Sequence, residues 1–246
     1  IKLIHGVGLA DTVFEAGMRK ILETGTPKPI AQKLVQARHK FREAIPNASC
    51  FDAVEFFDIE SFNSNATVVE NLLFGELCDK SIDHHVLAQD PDIRKILENN
   101  NLLNPLVEIG HIATSNIVKM FRGLPAGDEK LNRFSLIHPE DLPSFESLLR
   151  RVPQIEGTEI DDKDRSMLLS TAFMLNPSLH RLGLINNRMQ VKILAARHEL
   201  LENLPASLAG NLEVIDPKKI AIGSSVRDNI MFGRLSQHRA QCRDQV

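Results

Sequence analysis

Apolar residues recur at three- and four-residue steps along most of this chain, and that period predicts helices. Between Lys28 and Ile45 the stripe is Ile30, Leu34, Ala37, Phe41 and Ile45, with Lys33, Arg38, Lys40 and Arg42 elsewhere around the wheel. Pro46 stops this helix. Asp90 and Pro91 supply a cap and a first position for a helix through Leu97. Asn104 and Pro105 repeat that arrangement, and Leu106, Ile109, Ile112, Ala113, Ile117, Met120 and Phe121 then share one side until Pro125 and Gly127. "HPEDLPSFESLLRRV" and "DDKDRSMLLSTAFML" open with acidic residues where a helix dipole is positive. A longer period runs through "NPSLHRLGLINNRMQVKILAARHELLENLP" to Pro205. Two stretches read as strands, "CFDAVEFFD" from Cys50 and "NLEVID" at 211–216, and each is the natural partner for the other. Ahead of Gly25 the pattern suggests a short turn and one helix. The expected class is mainly α (α+β), with five or six helices between two strand-like pieces.

Those pieces belong to a longer repeat. Laid without a gap, Glu55 to Leu77 falls over Glu213 to Leu235. Asp58, Val68, Asn71, Phe74 and Gly75 meet identical residues at Asp216, Val226, Asn229, Phe232 and Gly233. Glu70 over Asp228 and Leu72 over Ile230 are conservative. Strand-turn-helix phrases can resemble one another by chance, but a separation this far above solenoid periods suits a duplicated half-domain or an insertion that repeats its own boundary. If the repeat is real, both copies share one backbone shape. Phe62 and Phe74 are candidates for docking to a partner, with burial in the core as the alternative.

Composition narrows the function classes. The chain has 246 residues, 43% hydrophobic and 25% charged, with a formal charge of -3, which suits a folded core and gives no strong field for nucleic acid. No apolar run reaches the roughly 18 residues of a membrane span, and no leader opens the chain. Cys50, Cys78 and Cys242 fit neither a disulfide framework nor a CxxC metal site, as in a reducing compartment. The first residue, Ile1, and the polar tail suggest a fragment of a longer protein.

"TVVENLLFG" and "SSVRDNIMFG" resemble the segment after the Q-loop in ATP-binding cassette (ABC) domains. "NPLVEIGHIATSNIVKMFRGLPAGDEKLNRFSLIHPEDLPSFESLLRRV" and "LGLINNRMQVKILAARHELLENLP" resemble large bacterial ABC transporter ATP-binding proteins with a helical insertion in the cassette. "GLADTVFEAGMRKILETGTPKPIAQKLVQARHKF" looks like a worn form of the signature-loop region, Gln32, Lys33, Leu34, Ala37 and Arg38 standing where that family has its Q-K-L-x-x-A-R helix. The resemblance implies three parts: a degenerate cassette-like segment at 1–77, a helical insertion at 78–210 and a second cassette-like segment at 211–246. It implies a place on the cytoplasmic face of the inner membrane, with the remaining cassette and transmembrane parts of a transporter as partners, and it leaves a homodimer open. ATP and magnesium are implied for the full-length parent.

The departures exclude that chemistry from this chain alone. GxxxxGK[ST], whose amides and lysine surround phosphates, is missing, as is the signature sequence. No apolar strand ends in Asp-Glu, and the Q-loop glutamine positions hold Ile59 and Pro217. The expected role is accessory or regulatory, with no catalytic residues. A non-enzymatic helical adaptor is the alternative.

Other chemistry is thin. Asp83, His84 and His85 form the triplet that DHH phosphoesterases use to hold manganese, so a metal-dependent phosphoesterase is a further alternative. The flanks lack that family's apolar strand and Asp-x-Asp ligands, and exposed histidines in a loop before Asp90 are expected instead. Asp161, Asp162 and Asp164 lack the glycine and distant glutamate of a calcium loop and read as helix capping. His111 reads as packed or hydrogen-bonded, and Ser135, Ser144 and Ser170 have no nucleophile-elbow context.

Overall fold

In the computed structural model, residues 10–45, 53–79, 81–121 and 136–236 are described. Cys50, Cys242, Ser135 and the expected turn ahead of Ala10 lie outside them. The chain divides into two units, one built from residues up to 57 and from 215 onward, the other from 58–214. Both crossings fall inside the repeated stretches.

The first unit holds α1 (Ala10–Met18), α2 (Lys28–Ala44), β1 (Val54–Phe56), α11 (Val226–Met231) and β4 (Gly233–Leu235). α2 begins behind Pro27 and carries a further proline in its first turn, where a missing N–H costs nothing. β1 and β4 are antiparallel, with Val54 opposite Leu235, Glu55 opposite Arg234 and Phe56 opposite Gly233. Among the described residues its core cluster is Ile45, Val54 and Met231, with Phe41, Phe56 and Leu235 packed on them.

The second unit holds α3 (Val68–Leu73), β2 (Gly75–Leu77), α4 (His84–Gln89), α5 (Pro91–Asn99), α6 (Leu103–Phe121), a 3-10 turn at Pro139–Asp141, α7 (Leu142–Arg151), α8 (Asp162–Phe173), α9 (Pro177–His180), α10 (Asn187–Glu202) and β3 (Leu212–Val214). Side-chain caps start these helices: Asp83 for α4, Asp90 for α5, Asp161 for α8, Asn176 for α9 and Asn186 for α10. Leu97, Leu102, Leu106, Leu148, Leu168, Leu169, Phe173 and Ile193 are part of one large core. α6 and α8 meet in close contact at Gly110, where an added Cβ would stand 1.9 Å from the Leu168 carbonyl oxygen. Among the described residues no helix is long and apolar enough to cross a membrane.

The mainly helical class stands, with two two-stranded sheets among the described residues. The expected pairing of the two strands does not. β1 takes β4, and β3 takes β2 through Gly75–Val214, Glu76–Glu213 and Leu77–Leu212. The partners are the Gly-x-Leu tails of the repeats, three residues each and too short to show a period. The helical period expected up to Pro205 is α10, and ahead of it Arg181 and Gly183 adopt positive φ and end the short α9 before Asn186 caps α10.

Candidate functional site

The two repeated stretches adopt one backbone shape. In each an aspartate opens a turn, with Asp58 Oδ1 accepting from the Glu60 amide at 2.9 Å and Asp216 Oδ1 from the Lys218 amide at 2.8 Å. That contact helps hold the Asp216 carboxyl below the usual range. A hydroxyl then caps a six-residue helix: Thr67 accepts from the Glu70 amide, and Ser225 from the Asp228 amide. Thr67 and Glu70 complete a capping box.

A buried asparagine staples each loop. Asn71 donates its amide to the carbonyls of Asn63 and Thr67, both at 2.9 Å, and its Oδ1 accepts from the Asn63 amide at 2.8 Å. Asn229 donates to Ala221 at 2.9 Å and Ser225 at 3.0 Å, and accepts from the Ala221 amide at 2.7 Å. Only a side chain with both a donor and an acceptor can do this. Each helix ends at a phenylalanine in the left-handed region, Phe74 at φ 45° and Phe232 at φ 46°. The glycine that follows admits the partner strand: a Cβ on Gly75 would lie 2.7 Å from Glu213 O, and one on Gly233 2.5 Å from Glu55 O.

Sequence reasoning missed the centre of both sites. Arg197 of α10 is 1% exposed. Its Nε donates to Asn71 O at 2.7 Å, its Nη1 to the carbonyls of Asp58, Ile59 and Ser61, and its Nη2 to Asn71 Oδ1 at 3.2 Å. The guanidinium lies 4.7 Å from the Phe74 ring centroid. Arg38 of α2, expected on a polar face, is 4% exposed and repeats the arrangement in the other unit. Its Nε donates to Asn229 O at 2.9 Å, its Nη1 to Pro217 O at 2.7 Å and Asp216 O at 3.4 Å, and it lies 3.9 Å from the Phe232 centroid. Arg38 Nη2 is buried without a hydrogen-bond partner among the described residues. Burial pushes Arg197 down to about 10 against the opposing pull of Asp58 and Glu60, and lowers Arg38 against Asp216. Both stay cationic at neutral pH, their charge answered mainly by carbonyl dipoles. The available signal was the tripeptide Ala37-Arg38-His39, repeated at Ala196-Arg197-His198 one residue out of register with the main repeat.

The other sequence candidates are occupied by structure. Asp83 Oδ1 accepts from the amides of His85 and Val86, so Asp83, His84 and His85 begin helix α4 rather than sitting in a loop. Burial and the neighbouring His85 lower the pKa of His84. No group of three metal-ligating side chains occurs among the described residues. Asp161 caps α8, and Asp164 is buried against Arg151. His111 Nε2 lies 2.8 Å from Val152 O. Ser144 is exposed, whereas Ser170 is buried, 3.0 Å from His85 Nδ1 and 3.2 Å from Met167 O. Its mid-helix position gives no preorganised oxyanion donors. Phe74 is 5% exposed and Phe62 packs against the large core, so neither is an exposed docking residue. Phe74 is buried with the Arg197 guanidinium over its ring, and Phe62 is half-buried.

A cleft of about 690 Å³ in the second unit is lined by Arg94, Glu98, Asp162, Arg165 and Lys192 among others. Its cations already serve internal acceptors: Arg94 meets Asp162, Ser166 and Ala88 O, Arg165 meets Asn104, and Lys192 meets Asn101 O. What the twin arginine sites can do is mechanical, each joining a helix, a turn and a strand pair into one rigid junction. The chain matches no protein-family model, no curated protein and no solved structure.

Proposed function

We propose that the chain is an accessory or regulatory segment of an ABC transporter ATP-binding protein, with the helices of 78–210 as an insertion between two cassette-like strand-turn-helix pieces. One observation carries this reading. The arginine of the Q-K-L-x-x-A-R stretch, Arg38, is the side chain that holds the second cassette-like phrase at Asn229, Asp216 and Pro217. Two features on which the resemblance rests, far apart in the chain, thus form one packed site. The same construction at Arg197 provides a second junction through which a displacement passes without being absorbed, because buried, fully bonded networks resist deformation.

The residues present do not fit a nucleotide. There is no GxxxxGK[ST], and Ile59 and Pro217 stand where a magnesium-binding glutamine belongs. ATP and magnesium would be held by the rest of the cassette, on the cytoplasmic face of the inner membrane, and this segment would couple cassette closure to the transmembrane parts. The test is the parent transporter in vesicles carrying Arg197→Met. Basal ATP hydrolysis is expected to stay within about twofold, while coupled transport falls about tenfold. A parent reading frame without GxxxxGK[ST] and without membrane spans would overturn the proposal.

A further inference from the structure

Each unit is closed by two chain segments of complementary character. One is a receptor, an arginine-bearing helix followed by a strand: α2 with β1, and α10 with β3. The other is a plug, a turn, an asparagine-stapled loop, a short helix, a left-handed phenylalanine and a glycine-led strand, at 216–235 and 58–77. Along the sequence each receptor is followed at once by a plug. In neither unit does it hold that plug. The receptor of α2 and β1 holds 216–235, and the receptor of α10 and β3 holds 58–77.

Recognition uses features that do not depend on how the plug is tethered. The arginine reads main-chain carbonyls, those of Asp216, Pro217 and Asn229. The segment at 20–22 adds main-chain bonds, the Val226 amide to Lys20 O at 2.9 Å and the Gly223 amide to Leu22 O at 2.8 Å. Strand β1 adds its ladder to β4. A receptor built this way treats the plug of its own chain and that of an identical chain alike.

The first unit has the weaker closure among the described residues. Its core cluster there is Ile45, Val54 and Met231, against the large cluster of the second unit. Its arginine has one long bond, at 3.4 Å, and an Nη2 without a partner among the described residues, whereas every nitrogen of Arg197 donates. The least satisfied closure in a structure is the first to separate. Its two halves are joined only through residues 58–214, so separation leaves a free receptor and a free plug on one chain.

We infer that the receptor formed by α2 and β1 binds the 216–235 plug of a second copy of this chain, giving a reciprocal, segment-exchanged dimer. Monomer and dimer then contain the same junctions, so exchange is a low-cost route to association once the closure opens. The balance is set by protein concentration against the effective concentration of the tethered plug, which is roughly millimolar for a flexible tether.

The experiment uses full-length chains with Cys50, Cys78 and Cys242 changed to serine and two different affinity tags. One copy carries Glu55→Cys and the other Arg234→Cys, positions that face each other across the β1–β4 ladder. The copies are mixed at high concentration, opened briefly in mild denaturant, returned to buffer and treated with a short bismaleimide. The covalent heterodimer is expected to exceed by about tenfold that from a control pair of Glu202→Cys, an exposed position, with Arg234→Cys. A yield equal to the control overturns the inference. So does an equal yield from Glu76→Cys with Glu213→Cys, which face each other in the second unit, because exchange would then not belong to the first receptor. If the cysteine copies lose their helical circular dichroism, differently tagged copies with native residues at 55 and 234 decide. Co-purification at dimer mass supports exchange, and monomer alone overturns it.

Discussion

Arg197 Nε donates to the main-chain oxygen of Asn71 at 2.7 Å, and Arg38 Nε stands in the same relation to Asn229 at 2.9 Å. Two short helices of similar sequence are thus each gripped at the carbonyl of their asparagine by an arginine that belongs to a different stretch of chain. The grips differ in completeness, and that difference sets an order of effects.

Arg197→Met removes the donor for four carbonyls and one side-chain oxygen inside a closed core. Hydrogen bonds from charged donors contribute about 1.5–3 kcal/mol each, and buried acceptors left unmet are unfavourable. A loss of about 3 kcal/mol or more in urea unfolding is expected. Arg38→Met, with fewer bonds and an idle Nη2, should lose roughly 1–2 kcal/mol. Equal losses, or the reverse order, would refute the asymmetry.

Gly110 and Gly17 should respond oppositely to alanine. At Gly110 the new methyl would meet the Leu168 carbonyl at 1.9 Å, so α6 and α8 must part. That overpacking costs about 1–3 kcal/mol. At Gly17, in α1, nothing lies within 4 Å. There alanine should stabilise the helix by about 0.5–1 kcal/mol. Thermal melts of the two variants separate these outcomes.

Thr114 is fully buried in α6, and its hydroxyl has no hydrogen-bond partner among the described residues. Thr114→Val keeps the shape and removes the unmet polar group. It should raise stability by about 1 kcal/mol in urea unfolding. A destabilised variant would mean that the hydroxyl is satisfied in solution.

His180 gives a pH dependence of definite sign. Its Nδ1 accepts the Asn176 amide at 2.8 Å, which requires the neutral ring, and burial lowers its pKa. Unfolded, the same histidine takes up a proton near pH 6.5. Below that pH the unfolded chain binds a proton that the folded chain refuses. The contribution is therefore complete above about 6.5 and is lost as pH falls toward the depressed folded value. The urea midpoint should decline from pH 6.5 to 5 in the native protein and decline less in His180→Gln. Parallel profiles would refute this.

Much of the architecture was legible in the residues. The 3.6-residue stripe in Lys28–Ile45, the Asp90-Pro91 start and the acidic openings at Asp161 report local preferences, and the helices begin where those residues say. The repeat was legible too, because the capping hydroxyl, asparagine, phenylalanine and glycine recur at fixed spacing and each has a local task. Arg38 was not. On a wheel it falls at the edge of the apolar stripe, between Ile45 and Arg42, and an arginine at such an edge can bury its head or carry it to solvent. Its partners are carbonyls at 216, 217 and 229, groups every residue possesses and no pattern marks.

The sequence by itself determined most of the helices, the doubled turn and the missing GxxxxGK[ST], since these follow from neighbours within a few positions. Tertiary structure alone decided which strand pairs with which, where the two units divide and which arginines become their centres. Those outcomes depend on main-chain groups brought together from opposite ends of the chain, and main-chain groups are the same at every position until the fold makes one of them scarce.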